Sequence, residues 1–497
     1  MKENFTLKTL LKSYAENATT HGVAAIYQTK WTLTRIIASL ALMTLFGFMT
    51  MAVFSTFQSF FEYKVFTNVQ IKDYDKIPFP SITICRNNIA SRSFMSEAFI
   101  DEILQKVEEI KNGNLSLSDV NAFIENATFA MYLEMENSNK TASKYPPMIL
   151  PNVTRACFYA SSVRCNITRD FRPTFPFGSL DQCYTFHGGN DILYYQRGGG
   201  PNFGLQLILY VNQSDYIPLV GTDNGAGFTI YVHAFNALPF IGINSISVAP
   251  GFYTKIALRL TETISKPYPH PTNCSNGEGI LNYIPGDYSQ LSCRMSCLFH
   301  SVYKSCGYAE PVIRGWFKNK TTPMTTLSML HCRAAILDAV LQGNVGSCHC
   351  PRACREVAYE PVVSHSKWPV DMDLPIYRSL TKYALGLDPE NLTDNFIEQN
   401  FLKVGIYYDE MHSKRFVEKG MMEIVDLASS IGGHLGFWTG SSVYSVMEWL
   451  GFLLALVSLL FTTKSRTGSS PQDSIEKDEK KDRNGLEIED FRSNIDF

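Results

Sequence analysis

The chain has 497 residues, of which 45% are hydrophobic and 18% charged, and its formal net charge is -3. This composition excludes a disordered protein, and a near-neutral charge without a basic stripe gives no support for a nucleic-acid partner. The length predicts two or three folding units. The hydrophobic content indicates segments that lie in a lipid bilayer.

The first apolar stretch follows a polar N-terminal segment, and residues 36–61 contain no charged side chain. About 20 apolar residues cross a hydrocarbon core of ~30 Å, so this stretch is long enough to span a bilayer. A buried helix of a soluble protein is the alternative, but such helices are seldom apolar on every face over this length. A cleavable signal peptide does not fit, because no small-residue cleavage site follows. We therefore predict a cytoplasmic segment at residues 1–30 and a first transmembrane helix at residues 31–61.

All 12 cysteines lie between Cys85 and Cys354. An even set confined to one block is typical of disulfides formed in an oxidising compartment. A metal site at Cys348, His349 and Cys350 is the alternative, but nine Asn-x-Ser/Thr sequons between residues 114 and 391 favour disulfides in a glycosylated extracellular segment. The predicted glycosylation sites are Asn114, Asn126, Asn139, Asn152, Asn166, Asn212, Asn273, Asn319 and Asn391.

Within this block the hydrophobic pattern changes between the periods of a strand and of a helix. Alternation predicts four strands, at Pro80–Cys85, Gly204–Val211, Gly227–His233 and Lys255–Leu260. Helical spacing predicts two helices, at Ser93–Glu109 and Thr326–Val340. The mixture indicates an α+β domain in which a sheet carries helical, disulfide-tied excursions.

The last eight cysteines fit a ladder of nested pairs. Cys293 and Cys297 are four residues apart, so they would share one face of a helix. Cys348 and Cys350 are two residues apart, so they would share one face of a strand. Nesting gives Cys274–Cys354, Cys293–Cys350, Cys297–Cys348 and Cys306–Cys332. The sequence alone leaves this connectivity open. Each bridge would contribute about 2–4 kcal/mol to the stability of the folded domain and make this part of it more rigid.

The second apolar stretch, residues 424–463, contains charges and glycines that a simple anchor does not need. Asp426, His434 and Glu448 lie in it, together with five glycines. A charge in a bilayer costs about 2.5–3.5 kcal/mol on insertion scales, so it faces water, a partner or an ion path. Glycines permit close helix packing and non-helical backbone beside a cavity. We therefore predict a pore-lining second transmembrane segment at residues 422–463.

Basic residues flank both apolar stretches on the side away from the cysteine block. Five precede the first and two follow the second, namely Lys2, Lys8, Lys12, Lys30, Arg35, Lys464 and Arg466. The positive-inside rule then makes both termini cytoplasmic, so residues 62–421 form one extracellular domain. We predict a multi-pass plasma-membrane protein without metal or cofactor, whose charged tail at residues 464–497 is disordered.

Short motifs follow one another along nearly the whole chain. They are His21-Gly22, Phe79-Pro80-Ser81-Ile82-Thr83-Ile84-Cys85, Cys183-Tyr184-Thr185-Phe186, Ala249-Pro250-Gly251-Phe252, Cys348-x-Cys350-Pro351-x-x-Cys354, Gly432-Gly433-x-x-Gly436-Phe437 and Gly440-Ser441-Ser442, ending at Glu448. In order and spacing they resemble the degenerin/epithelial sodium channel family. That family includes acid-sensing members and neuropeptide-gated members such as the FMRFamide-gated sodium channels.

The resemblance implies a sodium-permeable, amiloride-sensitive channel, a homotrimer or heterotrimer with wrist, palm, finger and thumb regions outside the membrane. It implies a selectivity filter at Gly440, Ser441 and Ser442, where the helix breaks and carbonyl and hydroxyl dipoles replace part of a cation's hydration shell. It also places His21 and Gly22 in a re-entrant segment beneath that constriction. A solvated cytosolic histidine is the alternative for His21.

The resemblance also implies the first two disulfides. These would be Cys85–Cys183 and Cys157–Cys165. The family's usual Cys-Gly-Cys is here Cys306-Gly307-Tyr308. One thumb bridge is thereby removed together with its partner, which accounts for a total of 12 cysteines.

Three positions near the filter bear on whether acidic side chains attract cations to the pore. Ser430 stands where the family has an acidic residue before the glycine pair, and Asp426 lies one turn earlier. Three copies of Asp426 around an axis would concentrate cations at the mouth, and a solvated helix-flank aspartate is the alternative. Glu448 matches a family carboxylate below the constriction, where it attracts cations or hydrogen-bonds between subunits.

The sequence favours a short extracellular peptide as the agonist. Acid gating needs closely packed carboxylates and histidines. The acid-sensing members that this chain resembles have a histidine on the strand that leaves the first span, whereas residues 66–76 here contain none. His270, in a Pro-rich loop, is the one histidine to test, with a solvated loop tip as the alternative. Proton gating and a constitutive sodium leak remain the alternatives within the family.

Two classes outside the family share the two-span plan. An ATP-gated trimeric channel needs a lysine-rich nucleotide site that has no counterpart here. A membrane-anchored enzyme needs a nucleophile elbow, a zinc-binding helix or a phosphate loop, and none of these motifs occurs in the sequence. We therefore predict a channel subunit and not an enzyme.

Overall fold

The structure, a computed structural model, describes residues 7–87, 92, 95–113, 115–137, 156–160, 163–174, 183–186, 194–217, 225–235, 237, 239, 245–280, 286–309, 326–341, 349–386 and 392–466. The chain divides into two compact units. Residues 1–64 and 421–497 form one unit, and residues 65–420 form the other. The two units are referred to below as the helical unit and the sheet unit.

The described residues form helices and strands with the following bounds. The helices are α1 (Leu7–Asn17), α2 (Val23–Gln28), α3 (Thr32–Phe61), α4 (Glu97–Lys111), α5 (Leu117–Asn137), α6 (Ile167–Asp170), α7 (Gln290–Cys306), α8 (Leu327–Leu341), α9 (Leu374–Leu385), α10 (Asp394–Asn400), α11 (Ile424–Thr439) and α12 (Val443–Arg466). The strands are β1 (Val65–Asp73), β2 (Ile77–Pro78), β3 (Ser81–Arg86), β4 (Cys157–Tyr159), β5 (Val163–Arg164), β6 (Phe171–Thr174), β7 (Cys183–Phe186), β8 (Tyr195–Gln196), β9 (Leu205–Tyr210), β10 (Phe228–His233), β11 (Ser245–Val248), β12 (Phe252–Ile264), β13 (Arg355–Lys367) and β14 (Phe401–Gly420).

The sheet unit contains two main sheets. The larger has the order β13-β12-β14-β9-β4-β5, with β1 paired antiparallel to the second half of β14. The smaller has the order β11-β10-β3-β7-β6. Strands β12 and β14 run parallel, with a register shift between Leu258 and Leu260. All four predicted strands are confirmed, and β12 extends further than its prediction at both ends.

The core lies between these sheets and explains the apolar runs of the sequence. Every residue of β3 is buried, because β3 is a central strand and both of its faces are covered. Phe79, Phe186 and Tyr408 meet in one aromatic cluster, with the ring of Phe79 edge-on to both other rings at 6.2 Å. The Tyr408 hydroxyl is satisfied by the Pro78 carbonyl at 2.8 Å. Strands from distant parts of the sequence are thereby fixed in one core.

Two helical clusters project from the sheets, as the pattern of helical spacing predicted. Helices α4 and α5 share the buried side chains of Phe99, Ile103 and Met131. Helix α4 begins four residues later than predicted, because Ser96 caps it by accepting a hydrogen bond from the Phe99 N–H. Helix α8, the other predicted helix, packs with α7 around Phe299.

Five disulfides are formed among the described residues. They are Cys85–Cys183, Cys157–Cys165, Cys274–Cys354, Cys293–Cys350 and Cys306–Cys332. The sixth expected pair, Cys297–Cys348, includes a residue outside the described part of the chain. Cys293 and Cys297 lie on α7 as expected, but Cys350 precedes β13 in irregular backbone instead of lying on a strand. The bridges tie the α7–α8 cluster to the start of β13.

Four of the nine predicted glycosylation sites lie on described residues. Asn126, Asn166 and Asn273 are exposed and Asn212 is half-buried. The others, Asn114, Asn139, Asn152, Asn319 and Asn391, lie outside the described residues.

His233 is a buried histidine at the end of β10. Its Nδ1 lies 3.1 Å from the Ala234 carbonyl oxygen, so Nδ1–H donates and Nε2 accepts from the Thr83 hydroxyl at 2.8 Å. Burial lowers the pKa of His233 to about 4. The unfolded chain keeps a pKa of about 6.5.

We expect His233 to make the sheet unit less stable in acid. Between about pH 6.5 and pH 4 the unfolded chain binds a proton that the folded chain excludes, so stability falls as the pH falls through this window, by roughly 3 kcal/mol in total. Thermal unfolding of the purified full chain on both sides of the window measures this loss. His233→Gln keeps a donor and an acceptor without titrating, so it should lose less stability across the window. An equal loss in both proteins would contradict the assignment.

The helical unit has one long apolar helix and one bent pair. By length and composition α3 is able to cross a membrane, and α11 with α12 up to Leu459 passes the same test when taken as one broken span, within the described residues. Phe48 of α3 stacks on Trp438 of α11 with ring centroids 5.4 Å apart. The hydroxyl of Thr439 lies 3.8 Å from the sulfur of Met49. Aromatic and sulfur contacts therefore hold α3 against the end of α11.

Candidate pore site

The candidate site is the break between α11 and α12. Helix α11 ends at Thr439, α12 begins at Val443, and the helix axes differ by 82°. Gly440, Ser441 and Ser442 form the link, as the prediction of a helix break at these residues requires. A break of this kind leaves the last carbonyls of one helix and the first N–H groups of the next without helical partners.

The end of α11 is fixed by Gly440. Its φ is +62°, in the left-handed region that glycine adopts readily. The Gly440 N–H donates to the Gly436 carbonyl at 3.0 Å, and the Ser441 N–H donates to the Leu435 carbonyl at 3.2 Å. These bonds close the helix in the manner of a left-handed C-terminal cap. The chain therefore turns away from the helix axis at Gly440.

The start of α12 is fixed by two serines. The Ser442 N–H donates to Oγ of Ser445 at 3.3 Å, and the Ser445 N–H donates to Oγ of Ser442 at 3.5 Å. This reciprocal pair is a capping box, which satisfies two N–H groups of a new helix. Ser442 is exposed, whereas Ser445 is 1% exposed. Three residues thus separate the last residue of α11 from the first residue of α12.

The three residues of the link differ in what their polar groups do. The hydroxyl of Ser441 is buried and lies 2.7 Å from the hydroxyl of Thr439. Thr439 also donates to the Leu435 carbonyl at 2.8 Å, so Ser441 donates to Thr439. Only Ser442 presents an exposed hydroxyl, although that hydroxyl also caps α12.

A segment from the N-terminal end of the chain packs against the link. The carboxylate of Glu448 accepts from the Thr19 N–H at 3.1 Å and from the Thr19 hydroxyl at 2.7 Å. The Thr19 hydroxyl also lies 2.8 Å from Oγ of Ser445. The indole N–H of Trp449 donates to the hydroxyl of Thr20 at 3.0 Å. We call this set of contacts, among Thr19, Thr20, Ser445, Glu448 and Trp449, the threonine clamp.

His21 and Gly22 continue this segment under the break. Nδ1 of His21 lies 3.1 Å from the carbonyl oxygen of Gly440, so Nδ1–H donates to that oxygen. A Cβ on Gly440 would collide with the His21 ring. Gly22 has a φ of +91° and caps α2. His21 is therefore exposed and also a hydrogen-bond donor to the link.

Asp426 and Ser430 lie at the other end of α11. The carboxylate of Asp426 accepts from the Glu423 N–H at 2.9 Å, and the Glu423 side chain accepts from the Asp426 N–H. Asp426 thus helps to cap α11 while its side chain stays exposed, and Ser430 is half-buried. An acidic pair at a helix N-terminus is favourable because the helix dipole is positive there.

The family resemblance placed His21, Gly22 and Glu448 next to the filter residues. In the structure His21 contacts Gly440 of the link, and Glu448 contacts Thr19, two residues before His21. The structure does not bring Asp426 or Ser430 there. Sequence reasoning missed Thr19, Thr20 and Trp449. Thr19 and Thr20 directly precede His21 in the sequence, and Trp449 directly follows Glu448. This closeness in sequence to two predicted site residues is the signal that could have identified them.

One further candidate, His270, lies outside this site. His270 lies half-buried in the loop before Cys274, and its backbone N–H donates to the Pro267 carbonyl at 3.1 Å. No group of histidine, cysteine and acidic side chains suited to hold a metal ion occurs within the described residues.

Within the described residues, the long apolar helix α3 and the bent α11–α12 pair could each cross a membrane by length and composition, and the sheet unit is tied by disulfides. The family model described as amiloride-sensitive sodium channel matches residues 14–452, and the chain belongs to that family. The resemblance to the degenerin/epithelial sodium channel family is thereby confirmed.

Relatives of the chain include channels with several kinds of name. Degenerin-like protein unc-105 of Caenorhabditis elegans is 25% identical over 362 residues, which are 70% of this chain and 39% of that protein. Acid-sensing ion channel 1C of Danio rerio is 24% identical, over 89% of this chain and 83% of the relative. Bile acid-sensitive ion channel of Mus musculus is 22% identical, over 88% and 86%. The chain spans less than half the length of degenerins such as unc-105.

Proposed function

We propose that the chain is a subunit of a sodium-permeable cation channel in the plasma membrane. In this proposal α3 and the α11–α12 pair each cross the bilayer, the sheet unit is extracellular, and both termini are cytoplasmic. The observation that carries the proposal is the polar break at Gly440, Ser441 and Ser442 within an apolar helix pair, in a chain of the amiloride-sensitive sodium channel family. Carbonyl and hydroxyl dipoles freed by such a break suit a partly dehydrated small cation.

The proposed channel contains three subunits, identical or related, around a central axis. A selectivity filter is a ring of polar groups, and the described part of one chain contributes a single break, so several copies are required. Three exposed Asp426 carboxylates at the extracellular end of α11 would then attract cations to the mouth. Glu448 is assigned to the threonine clamp, because its carboxylate accepts both Thr19 bonds.

The proposed trigger is a short extracellular peptide. Membership of the family leaves the trigger open, since relatives carry names that refer to acid and to bile acid. Strand β1, which leaves the helical unit, contains no histidine. A peptide agonist suits a large extracellular unit with aromatic loops.

Proton gating is the second candidate, because the structure supplies a histidine that the sequence analysis did not consider. His412 lies on β14 directly opposite Asp73 of β1. Its Nε2 is 2.8 Å from a carboxylate oxygen of Glu410. His412 and Glu410 thus form a close pair on β14, and Asp73 lies opposite His412 in the strand register. Proton gating would act through protonation of this group.

Expression of the chain in oocytes tests both candidates. Currents are recorded while acid, amidated peptides and ATP are applied in turn, with surface expression confirmed. We expect a peptide to open a current that amiloride blocks. A current that acid opens, and that is lost in His412→Asn, would support proton gating and contradict the peptide as the trigger. Silence to all three stimuli would contradict a channel of identical subunits.

Thiol modification tests the filter assignment. In Ser442→Cys the exposed hydroxyl is replaced by a thiol, and we expect a cationic thiol reagent to reduce the open-channel current or change ion selectivity. Ser118→Cys, an exposed site on α5, is the control and should leave both unchanged after modification. A Ser442→Cys channel that is neither modified nor altered in selectivity would contradict the filter assignment.

A further inference from the structure

A cavity of ≈ 530 Å³ opens in the sheet unit between the end of β10, the start of α7 and the edge of β13. Pockets for small ligands occupy about 300–1,000 Å³, so the volume suits a small organic molecule or a few residues of peptide. Aromatic side chains form part of its wall, namely Tyr231, Phe235, Tyr288 and Tyr359. Rigid aromatic walls bind ligands at low entropic cost.

The charges at the cavity favour a cation. Asp287 and Glu356 line it, and neither carboxylate has an ion-pair or hydrogen-bond partner among the described residues. Arg355 also lines it, but its guanidinium donates to the buried carboxylate of Glu262 at 2.7 Å. His233 is neutral at physiological pH, because burial lowers its pKa to about 4. Two carboxylates therefore remain for a ligand.

The edge of β13 adds backbone groups to the cavity. In the part of the chain that the structure describes, β13 is the end strand of the larger sheet and pairs only with β12. The Ser265 N–H donates to the Cys354 carbonyl at 2.9 Å, which sets the alternation of an antiparallel pair. Every second residue of β13, starting at Arg355, then points its N–H and carbonyl away from β12.

Pro361 gives independent support for this alternation. It lies on the outward-pointing set and has no N–H, which agrees with the rule that proline in a sheet occupies positions without a ladder bond. Arg355, Val357 and Tyr359, which belong to this outward-pointing set, all line the cavity. An unpaired strand edge of this kind accepts an extended peptide as an added strand.

We propose that this cavity binds a short cationic peptide, which pairs with the free edge of β13 and places a basic side chain between Asp287 and Glu356. A guanidinium or ammonium group on an apolar body is the chemistry that the cavity selects. A small organic cation has the same chemistry, and the experiment separates it from a peptide. The proposal rests on the proposed function for the nature of the ligand, since it locates the site of the peptide agonist.

Binding to the purified full-length chain tests the site without recording current. The probe is fluorescently labelled, amidated Phe-Met-Arg-Phe. Glu356→Gln and Asp287→Asn should each weaken its binding about tenfold, because each removes one charged partner of the ligand. The matched control is Glu360→Gln, a glutamate on the same strand that accepts from Thr261 and does not line the cavity. Its affinity should equal that of the unchanged chain.

Two ligand variants complete the test. Replacing arginine by neutral citrulline should weaken binding to the unchanged chain by a similar factor and abolish the difference between it and Glu356→Gln. Free arginine amide should compete weakly, since it lacks a backbone long enough to pair with β13. Competition as strong as that of the peptide would overturn the peptide assignment in favour of a small cation.

Failure of the site and failure of the proposed function give different results. Charge-dependent binding without a peptide-evoked current in oocytes supports the site and contradicts peptide gating. A peptide-evoked current whose half-maximal concentration is the same in the Asp287→Asn/Glu356→Gln double variant overturns the site and supports peptide gating. Equal peptide affinity in the double variant and in Glu360→Gln overturns the site whatever the current.

Discussion

Gly440→Ala is expected to reduce the open-channel current at least tenfold while the chain still reaches the cell surface. Alanine in the left-handed conformation costs about 1–2 kcal/mol, and the φ of Gly440 is +62°. The added methyl group would also collide with the His21 ring. Both effects disturb the link, because the chain must either straighten at residue 440 or displace His21 from the Gly440 carbonyl.

Gly436→Ala is the matched control for this prediction. Gly436 lies one turn earlier in α11, and an added Cβ would meet no atom within 4 Å in the described part of the chain. Alanine is the better helix former there, so we expect normal currents. Whole-cell current divided by surface protein measures both variants. Full currents in Gly440→Ala would contradict the account of the link.

The threonine clamp is expected to couple the N-terminal segment to α12. Thr19→Val removes the hydroxyl while keeping the shape of the side chain, and Glu448→Gln removes the charge. Hydrogen bonds to a charged group contribute about 1.5–3 kcal/mol each. We therefore expect each variant to lower the open-channel current about tenfold. The double variant should be little worse than either single variant, because both remove the same interaction.

A double-mutant cycle on the equilibrium between closed and open states measures this coupling. Thr29→Val is a suitable control, since the hydroxyl of Thr29, just after α2, donates to the Ala25 carbonyl of that helix and has no other partner among the described residues. Its effect should add to that of Glu448→Gln. Additive effects of Thr19→Val and Glu448→Gln would contradict a direct interaction between these two side chains.

The family resemblance was sufficient for the break in the helical unit. It implied that the helix breaks at residues 440–442, and the structure has a helix end and a helix start there. The threonine clamp was not predictable from periodicity, because Thr19 and Glu448 are 429 residues apart. A threonine or a glutamate in a sequence does not indicate which distant residue it will contact. Only packing of the whole unit brings them together.

In the sheet unit, too, some features were predictable from the sequence and others were not. The four strands with clear alternation were predicted, since a strand with one or two buried faces leaves a pattern in the chain. The parallel pairing of β12 with β14 was not predicted, because register between distant strands depends on the complete core. The buried Glu262, which joins Arg355 and Arg415 across three strands, left no sequence pattern either.

The most direct test of the central claim is the reversal potential of the current that the chain produces. With sodium as the main external cation, we expect a positive reversal potential. Replacement of external sodium by a large organic cation should move it strongly to negative values, and Ser442→Cys after thiol modification should reduce that shift. A reversal potential that is insensitive to external sodium, in cells with confirmed surface expression, would contradict a sodium-permeable pore built on the link at residues 440–442.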